Sequence, residues 1–375
     1  MKVCFVGLEN LPVLAEEYNS HGIGGEQVQQ TLLARGLSHR GYQVGMVTAD
    51  YGQSDGKSWL GVQVFKSYRL DAGLPVIRYF YPRWTGLWSA LGRANADVYY
   101  TSCAGMQVGL VALYCRVKGK GLVFRLASDA DADPERVRIR YARDRKLYEY
   151  GLKQADRILS QHSRQQQMLK QNYAVDSAIA DMLVEPPDRV LALDERNIQI
   201  LWVNNFRDLK RPDLALELSR RLSEHHLHML GGPLPGFSEL YESIQQEVTT
   251  IPNISFHGRL PYHDVGDYYD QARVFVNTSD SEGFPNSFLQ SWRRGVPVVT
   301  FFQPDDIITQ KGLGYVVNSM DEMTKAVKKL LTDDAEWHAC SERCRRYMKQ
   351  YHSDDLVLKT YQDAIQYAYE RKVSK

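Results

Sequence analysis

Short apolar runs alternate with amphipathic segments along this 375-residue chain, and the alternation restricts it to an α/β fold. The first run, Lys2–Gly7, ends in glycine, which is typical of a buried parallel strand. After a loop comes a helical pattern that ends near Gly41, with apolar residues at Val28, Leu32, Leu33 and Leu37. The run Gln43–Asp50 then predicts a second strand. The opening is therefore a β-loop-α-β unit, and such units build parallel sheets.

The same alternation continues and restarts after a break. Further strands of the first half are predicted at Asp97–Tyr100, Leu122–Leu126 and Ala155–Ser160, the last of these closing its sheet. Second-half strands are predicted at Ile198–Asn204, His226–Leu230, Asn253–Gly258, Ala272–Ser279 and Val296–Phe301. Between the halves, 185–194 contains two prolines and loses its periodicity, as linkers do. Two doubly wound α/β domains follow, at 1–185 and 195–353, with a final helix at 354–375.

Charge and composition exclude several classes of protein. The 46 basic and 45 acidic residues leave a formal net charge of +1, which gives no general attraction to nucleic acid. No apolar run is long enough for a membrane span or a signal peptide, so a cytoplasmic location is expected. The five cysteines show no paired metal-ligand spacing. A local excess of cations lies in 136–146, where it predicts either a solvated helix face or a patch for anionic lipid or a charged acceptor.

The richest motif is NTSDSEGFPNSFLQSWRRGVPVV, Asn277–Val299. A strand ends near Ser279, and a helix begins at about Pro285 and closes near Gly295. Free N–H groups and a partial positive charge at a helix N-terminus suit ligand oxygens or phosphates. Glu282 and Gln290 are placed to hydrogen-bond hydroxyl groups. The alternative to a ligand site is a purely structural helix that completes the crossover between two strands.

This stretch resembles the donor-site signature of family 4 glycosyltransferases, an E-x7-E pattern in an EGFP…G-PVV context. The matching residues are Glu282, Gly283, Phe284, Pro285, Gly295, Pro297 and Val298. The resemblance implies that Glu282 contacts the transferred sugar and that the second glutamate holds the nucleotide ribose. Gln290 stands at that second position, so its ribose contact would be neutral. Gly283, Phe284, Pro285 and Asn286 are expected to line the donor site.

The resemblance extends to four further segments. Lys210 and Arg207 match the two cations that clamp the donor diphosphate, with Asn205 as the alternative occupant of the arginine position. The segment GIGGEQ, Gly22–Gln27, is expected to bring Gly24 and Gly25 to the diphosphate. A dinucleotide fingerprint is excluded there, because no third glycine follows at the required spacing. Backbone groups near Arg259 and Leu260 are expected to contact the nucleobase.

The fourth segment, SDADADP, follows the strand at Leu122–Leu126 and carries alternating aspartates. An EF-hand loop is excluded, since Pro134 and Arg140 stand where glycine and glutamate are required. Many family members have a histidine here beside the reacting sugar, whereas this sequence has Ser128 or Asp129. Asp129 is expected to accept a hydrogen bond from acceptor or donor sugar. The alternatives are an Asp-x-Asp metal clamp, or Asp131 or Asp133 capping the basic helix.

Taken together, the resemblance implies a GT-B fold, with an N-terminal acceptor domain and a C-terminal donor domain facing across a cleft and the last helix packed on the N-terminal domain. The implied activity is retaining, metal-independent transfer of a hexose from a nucleotide-diphosphate sugar, UDP favoured, to a glycan or lipid-linked acceptor of surface polysaccharide. No cofactor is expected, and the acceptor-binding residues are not identified. Two other classes stay open: a non-catalytic nucleotide-sugar or glycan-binding module, and a GT-B epimerase or phosphorylase. If the basic stretch 136–146 binds anionic lipid, the protein is expected to contact the inner face of the membrane peripherally.

Overall fold

A computed structural model describes residues 1–18, 23–75, 77–234, 236–280 and 282–374 of the chain. Gly22 of the GIGGEQ segment and Ser281 of the Asn277–Val299 motif lie outside these ranges. The chain divides into two compact units, one comprising Met1–Leu183 with Asp354–Lys375 and the other Val184–Ser353. Within the described ranges, no helix is both long and apolar enough to cross a membrane.

In the first unit, strands alternate with α-helices along the chain, as the apolar pattern predicts. Its strands are β1 (Lys2–Val6), β2 (Gln43–Thr48), β3 (Ser58–Trp59), β4 (Val62–Lys66), β5 (Val98–Ser102), β6 (Gly121–Arg125), β7 (Arg157–Ser160) and β8 (Ala178–Ile179). Its helices are α1 (Leu11–Leu14), α2 (Gly25–His39), α3 (Thr85–Ala94), α4 (Met106–Lys118), α5 (Ala142–Gln154) and α6 (Ser163–Tyr173), together with the C-terminal helix Asp354–Val373. Short 3-10 turns occupy Glu16–Tyr18, Ile77–Tyr79 and Asp129–Ala132, and a π turn occupies Phe80–Trp84.

In the described part of this unit, the sheet order is β3-β4-β2-β1-β5-β6-β7-β8, and only the β3–β4 pair is antiparallel. Strands β1, β5 and β6 are almost wholly buried, since helices cover both faces of the sheet. The C-terminal helix contributes Tyr361, whose hydroxyl donates to the Asp181 carbonyl at 3.0 Å. Arg40 lies in the turn after α2, and its guanidinium donates to the Gln362 side chain of the C-terminal helix.

The second unit repeats the design with strands β9 (Ile198–Val203), β10 (Leu227–Leu230), β11 (Ile254–Gly258), β12 (Ala272–Asn277), β13 (Val298–Thr300) and β14 (Gly314–Val316). Its helices are α7 (Pro212–Arg221), α8 (Ser238–Val248), α9 (Tyr262–Gln271), α10 (Asn286–Arg293), α11 (Ile307–Lys311), α12 (Met320–Thr332) and α13 (Asp334–Tyr351), with a 3-10 turn at Asp208–Lys210. The described strands pair in parallel in the order β11-β10-β9-β12-β13-β14.

Some elements differ from the predictions. Ala155–Ser160 does not close the first sheet, because the two-residue β8 pairs beyond it. The edge strand β14 was not predicted, because three half-buried residues give no apolar run. The basic stretch 136–146 is a helix only from Ala142 onward. Asp131 and Asp133 therefore cap no basic helix: Asp131 lies in the 3-10 turn that Ser128 caps, and the Asp133 carboxylate accepts from the Glu135 N–H.

Candidate functional site

The second sheet reverses its strand order between β9 and β12, which are neighbours in space but not in sequence. In open α/β sheets, ligands bind outside the carboxyl ends of the strands at such a reversal. The segment that follows β9 contains Arg207 and Lys210, and the one that follows β12 contains Glu282. The two motifs singled out in the sequence therefore meet at the position that this topology favours for a ligand.

Lys210 and Glu282 form an ion pair between the Nζ and Oε1 atoms, with side chains only 9% and 13% exposed. The Ser279 hydroxyl donates to the same carboxylate oxygen at 2.8 Å. Burial lowers the pKa of Lys210, and the charge of Glu282 opposes that shift. The result is a fixed, poorly solvated cation beside a fixed hydrogen-bond acceptor.

A chain of hydrogen bonds holds Lys210 in place. The Trp202 indole N–H donates to the Thr278 hydroxyl at 2.9 Å, and that hydroxyl donates to the Lys210 carbonyl at 2.7 Å. The Asp280 N–H donates to the Leu209 carbonyl at 2.9 Å, which joins the two loops a second time. Helix α7 starts at Pro212, as the sequence predicts for a proline in the first turn. The relative position of Lys210 and Glu282 is therefore fixed by contacts between the loops that follow β9 and β12.

Helix α10 follows Glu282 and is capped by Pro285, so that Asn286 is its first residue. Phe284 is buried against Trp292 and His352, at ring-centroid distances of 6.4 and 6.0 Å. Gln290 lies two turns along the helix. Its amide oxygen accepts from Arg294 Nη1 at 3.1 Å, and Arg294 Nε donates to Asp270 at 2.6 Å. The Gln290 side chain is therefore oriented by a buried arginine that has its own carboxylate partner.

The loop after β11 lies at the same edge of the sheet. Arg259 is exposed, and its Nη2 donates to the Pro233 carbonyl while its side chain covers Gly232. The Gly231 N–H donates to the Gly258 carbonyl at 2.8 Å, and the Phe206 N–H donates to the Gly232 carbonyl at 2.9 Å. The loops after β9, β10 and β11 are thus bonded in series. Asn205 and Leu260 are half-buried members of this rim.

The remaining predicted residues lie in the first unit. Gly24 caps α2 in an extended conformation, with φ of −102°, and Gly25 is the first helical residue. The next residue, Glu26, pairs with Arg125 at 2.8 Å, and the Arg125 side chain is fully buried. The Gly24 conformation does not itself require glycine, because its φ is negative, and a ligand bound there would depend on the N-terminus of α2.

Asp129 is held by two side chains from beyond the next strand. His162 Nε2 lies 3.0 Å from Asp129 Oδ1, and Gln165 Nε2 donates to the same oxygen at 3.0 Å. Burial raises the pKa of Asp129, but the hydrogen bonds from His162 and Gln165 outweigh it and hold the pKa below its usual range. His162 is 5% exposed, and among the described residues its buried Nδ1 has no hydrogen-bond partner.

The segment after β6 has no histidine of its own, as the sequence indicates, but His162 from the end of the next strand lies beside Asp129. Asp129 follows β6 and His162 follows β7, and these strands pair in parallel. Carboxyl ends of neighbouring parallel strands meet at one edge, which brings the two side chains together although 33 positions separate them in the sequence. His162 is also the cap residue of α6, but its side chain makes no capping bond.

Asp131 faces its own loop instead of joining Asp129. Its carboxylate accepts from the Ala127 N–H at 2.7 Å and from the Ser128 N–H at 3.2 Å. Among the residues that the structure describes, no three histidine, cysteine, aspartate or glutamate side chains converge in a way that would hold a metal ion.

Comparison with known proteins points to one class. Residues 197–333, which include the Lys210–Glu282 pair, match the family model described as "Glycosyl transferases group 1". Two Escherichia coli relatives are each 26% identical over 136 residues: the O-antigen biosynthesis glycosyltransferase WbnH and the probable O-antigen biosynthesis glycosyltransferase WbiN. Each match covers 36% of this chain and 37% of the relative, so it spans little more than a third of these proteins.

Solved structures resemble the whole chain. Sucrose-phosphate synthase from Thermosynechococcus elongatus aligns with a TM-score of 0.75 at 14% identity, over 99% of this chain and 100% of that one. WaaG, a glycosyltransferase involved in lipopolysaccharide biosynthesis, aligns at 0.70 and 16% identity over 97% and 99%. Anabaena Alr3699/HepE in complex with UDP and glucose aligns at 0.72 and 10% identity over 98% and 99%. Identities this low show the fold alone.

The fold is the GT-B fold, with two parallel-sheet Rossmann-like domains as predicted. The family model and these structural neighbours support a GT-B glycosyltransferase.

Proposed function

We propose that this protein is a retaining glycosyltransferase of family 4 that transfers a hexose from a UDP-sugar to a glycan or lipid-linked acceptor in surface-polysaccharide synthesis. Three observations support the proposal. The EGFP…PVV motif carries the family resemblance, the relatives WbnH and WbiN are named for O-antigen biosynthesis, and one structural neighbour was solved with UDP and glucose. The observation that carries the proposal is the buried Lys210–Glu282 pair at the strand-order reversal.

The pair supplies the two functions that sugar transfer needs. Breaking the sugar–phosphate bond leaves additional negative charge on the departing diphosphate. In this proposal, Lys210 and Arg207 stabilise that charge together with the N–H groups at the start of α10, because a cation in a poorly solvated site acts more strongly than one in bulk water. Glu282 accepts hydrogen bonds from hydroxyls of the transferred sugar and so positions its anomeric carbon.

Further donor contacts in the second unit follow from the same edge of its sheet. Gln290 contacts the ribose, oriented by Arg294. Backbone groups at Arg259 and Leu260 contact the base, and 283–286 line the sugar and phosphates. In the first unit, the N–H groups at Gly24 and Gly25 face phosphate oxygens. Asp129 accepts a hydrogen bond from a sugar hydroxyl, held as a carboxylate by His162 and Gln165.

The proposed reaction is a front-face displacement that uses no metal. The leaving diphosphate helps to deprotonate the acceptor hydroxyl, the new bond forms on the face the diphosphate leaves, and anomeric configuration is retained. Protein groups contribute positioning and charge stabilisation, without a covalent intermediate.

A donor screen tests the proposal. The purified protein is incubated with UDP-, GDP- and ADP-hexoses, thermal shifts identify the donor that binds, and NMR of the product gives its anomeric configuration. A UDP-hexose that raises the melting temperature and is transferred or slowly hydrolysed with retention supports it. Binding without any turnover indicates a binding module, and an isomerised sugar or a sugar phosphate formed with added phosphate indicates an epimerase or phosphorylase.

A further inference from the structure

The first unit exposes an apolar segment, residues 70–75 and 77–81, that the motif analysis leaves without a role. Five large apolar side chains point to solvent within it: Leu70, Leu74, Ile77, Phe80 and Tyr81, with exposed fractions from 40% to 71%. Single exposed apolar residues are ordinary, but several in one short segment mark an interaction surface. They lie between β4 and α3, outside the segments that carry the family resemblance.

The segment has a defined shape. The Arg78 N–H donates to the Leu74 carbonyl at 2.8 Å, and a Cβ at Gly73 would come within 2.8 Å of the Pro82 ring, so the backbone folds back on itself. Tyr79 is buried beneath it. The Phe80 ring stacks on Trp84 at 6.2 Å between centroids, leaving Phe80 62% exposed. The exposed side chains therefore stand on an ordered base.

Tyr79 joins this segment to the basic stretch 136–146. The Arg143 guanidinium lies 3.5 Å from the centroid of the Tyr79 ring. Arg136, Arg138, Arg140 and Lys146 of the same stretch are exposed. Few acidic residues oppose this charge: Asp144 pairs with Arg143, Asp71 pairs with Arg69, and Glu135 is exposed next to Arg136. An apolar surface with exposed aromatic rings thus borders a surface with a large excess of positive charge.

We propose that the exposed apolar segment and the basic stretch together dock this protein on the surface of a bilayer that contains anionic lipids. Leucine, isoleucine and phenylalanine side chains enter the region between headgroups and acyl chains, tyrosine lies at the headgroup level, and the arginines contact lipid phosphates. Charge complementarity favours an anionic bilayer here, because long exposed arginine side chains can each contact the phosphates of mobile lipid headgroups. The inference rests on this surface alone and does not depend on the proposed reaction.

Vesicle co-sedimentation tests the docking surface. The full chain is mixed with vesicles of phosphatidylcholine alone or of phosphatidylcholine with phosphatidylglycerol. An apolar variant, Leu74→Ser with Phe80→Ser, and a charge variant, Arg138→Gln with Arg140→Gln, are compared with the wild type. The control variant, Arg116→Gln with Val117→Ser, changes the same kinds of exposed residue at the end of α4. Thermal melting of each variant checks that it is folded.

The wild type is expected to bind the anionic vesicles and to lose affinity at high salt, since salt screens the charge contribution. Each test variant should bind about tenfold more weakly or worse, and the control should match the wild type. Three results overturn the proposal: no preference for anionic vesicles, an equal loss in the control, or a self-associated chain that the apolar variant disperses in the absence of any vesicle binding. The last result assigns the surface to a second copy of the chain.

Discussion

At the scale of single residues, the ion pair between Lys210 and Glu282 joins two loops that are distant in the sequence. Each charge is nearly buried, so neither is solvated well without the other. If the proposed roles are correct, Glu282→Ala lowers kcat by at least about 100-fold while UDP affinity is retained, and Lys210→Ala raises the reaction barrier by about 2–4 kcal/mol. Steady-state kinetics and calorimetry with UDP measure both effects.

Two controls separate this role from folding and from metal chemistry. Arg211→Gln removes a neighbouring cation that is half-exposed and paired with Asp213 and Asp280, and it should leave turnover close to the wild-type value. Transfer should also persist in excess EDTA. Near-normal turnover of Glu282→Ala would refute the assignment, and loss of activity in EDTA with rescue by manganese would move the chemistry to Asp129 and Asp131.

Gln290 gives a second prediction at this scale. Gln290→Glu should keep donor affinity, because the new carboxylate still accepts from Arg294 and from a ribose hydroxyl. Gln290→Leu should weaken UDP binding by about 1–3 kcal/mol, the usual consequence of leaving polar partners unpaired. Calorimetry that gives equal UDP affinity for the wild type and the leucine variant would contradict the ribose role.

Asp129 gives a prediction about pH. Its pKa in the folded protein is lowered, whereas an unfolded chain has an aspartate pKa of about 3.9. Its ionised form therefore stabilises the fold fully above about pH 4, and this contribution is lost as the pH falls through the lower folded-state pKa. The difference in unfolding free energy between wild type and Asp129→Asn should shrink on acidification. A difference that stays constant over this pH range would disprove the stabilised carboxylate.

At the scale of elements, helices α4 and α5 meet through glycine. A Cβ on Gly109 would lie 2.2 Å from the Leu147 carbonyl oxygen, and one on Gly151 would lie 2.8 Å from the Val108 carbonyl carbon. Neither neighbour is a flexible side-chain end, so the helices would have to separate. Gly109→Ala should therefore destabilise the protein by about 1–3 kcal/mol in denaturant unfolding.

Gly92 in α3 is the matched comparison. A Cβ there would meet no atom of the described residues within 4 Å, and helical alanine is favoured over glycine by up to about 1 kcal/mol. Gly92→Ala should thus be neutral or stabilising. A Gly109→Ala protein as stable as Gly92→Ala would show that the helix crossing yields without cost.

At the scale of the whole molecule, the first unit is built from both ends of the chain. The C-terminal helix buries Val357, Tyr361, Ile365 and Ala368 in that unit, and the Ala368 backbone lies close to Gly121 of β6. Ending the chain at Ser353 removes this cover and leaves the second unit's own residues complete. Hydrogen exchange should show lost protection in α2 and β6 with protection retained in β9 and β12. Equal loss in both units, or in neither, would contradict the division.

The sequence by itself determined the class of fold and most of its elements. Apolar runs predicted strands at Lys2–Gly7 and Ile198–Asn204, and the structure has them at Lys2–Val6 and Ile198–Val203, because a strand buried on both faces is apolar throughout. Motif matching identified Lys210 and Glu282 as site residues, and their side chains form an ion pair in the structure. Edge strands such as Gly314–Val316 lack such an apolar run, because they bury too little of their surface to require it.

Tertiary structure alone decided which distant side chains share an environment. His162 reaches Asp129 only because β6 and β7 lie side by side, and the stacking of Arg143 on Tyr79 joins a basic stretch to an apolar segment more than sixty residues earlier. Such contacts depend on strand order and on helix packing, which local spacing does not encode. The periodicity of apolar residues specifies which face of each helix or strand is buried. Which other helix or strand covers that face depends on how all the elements pack together.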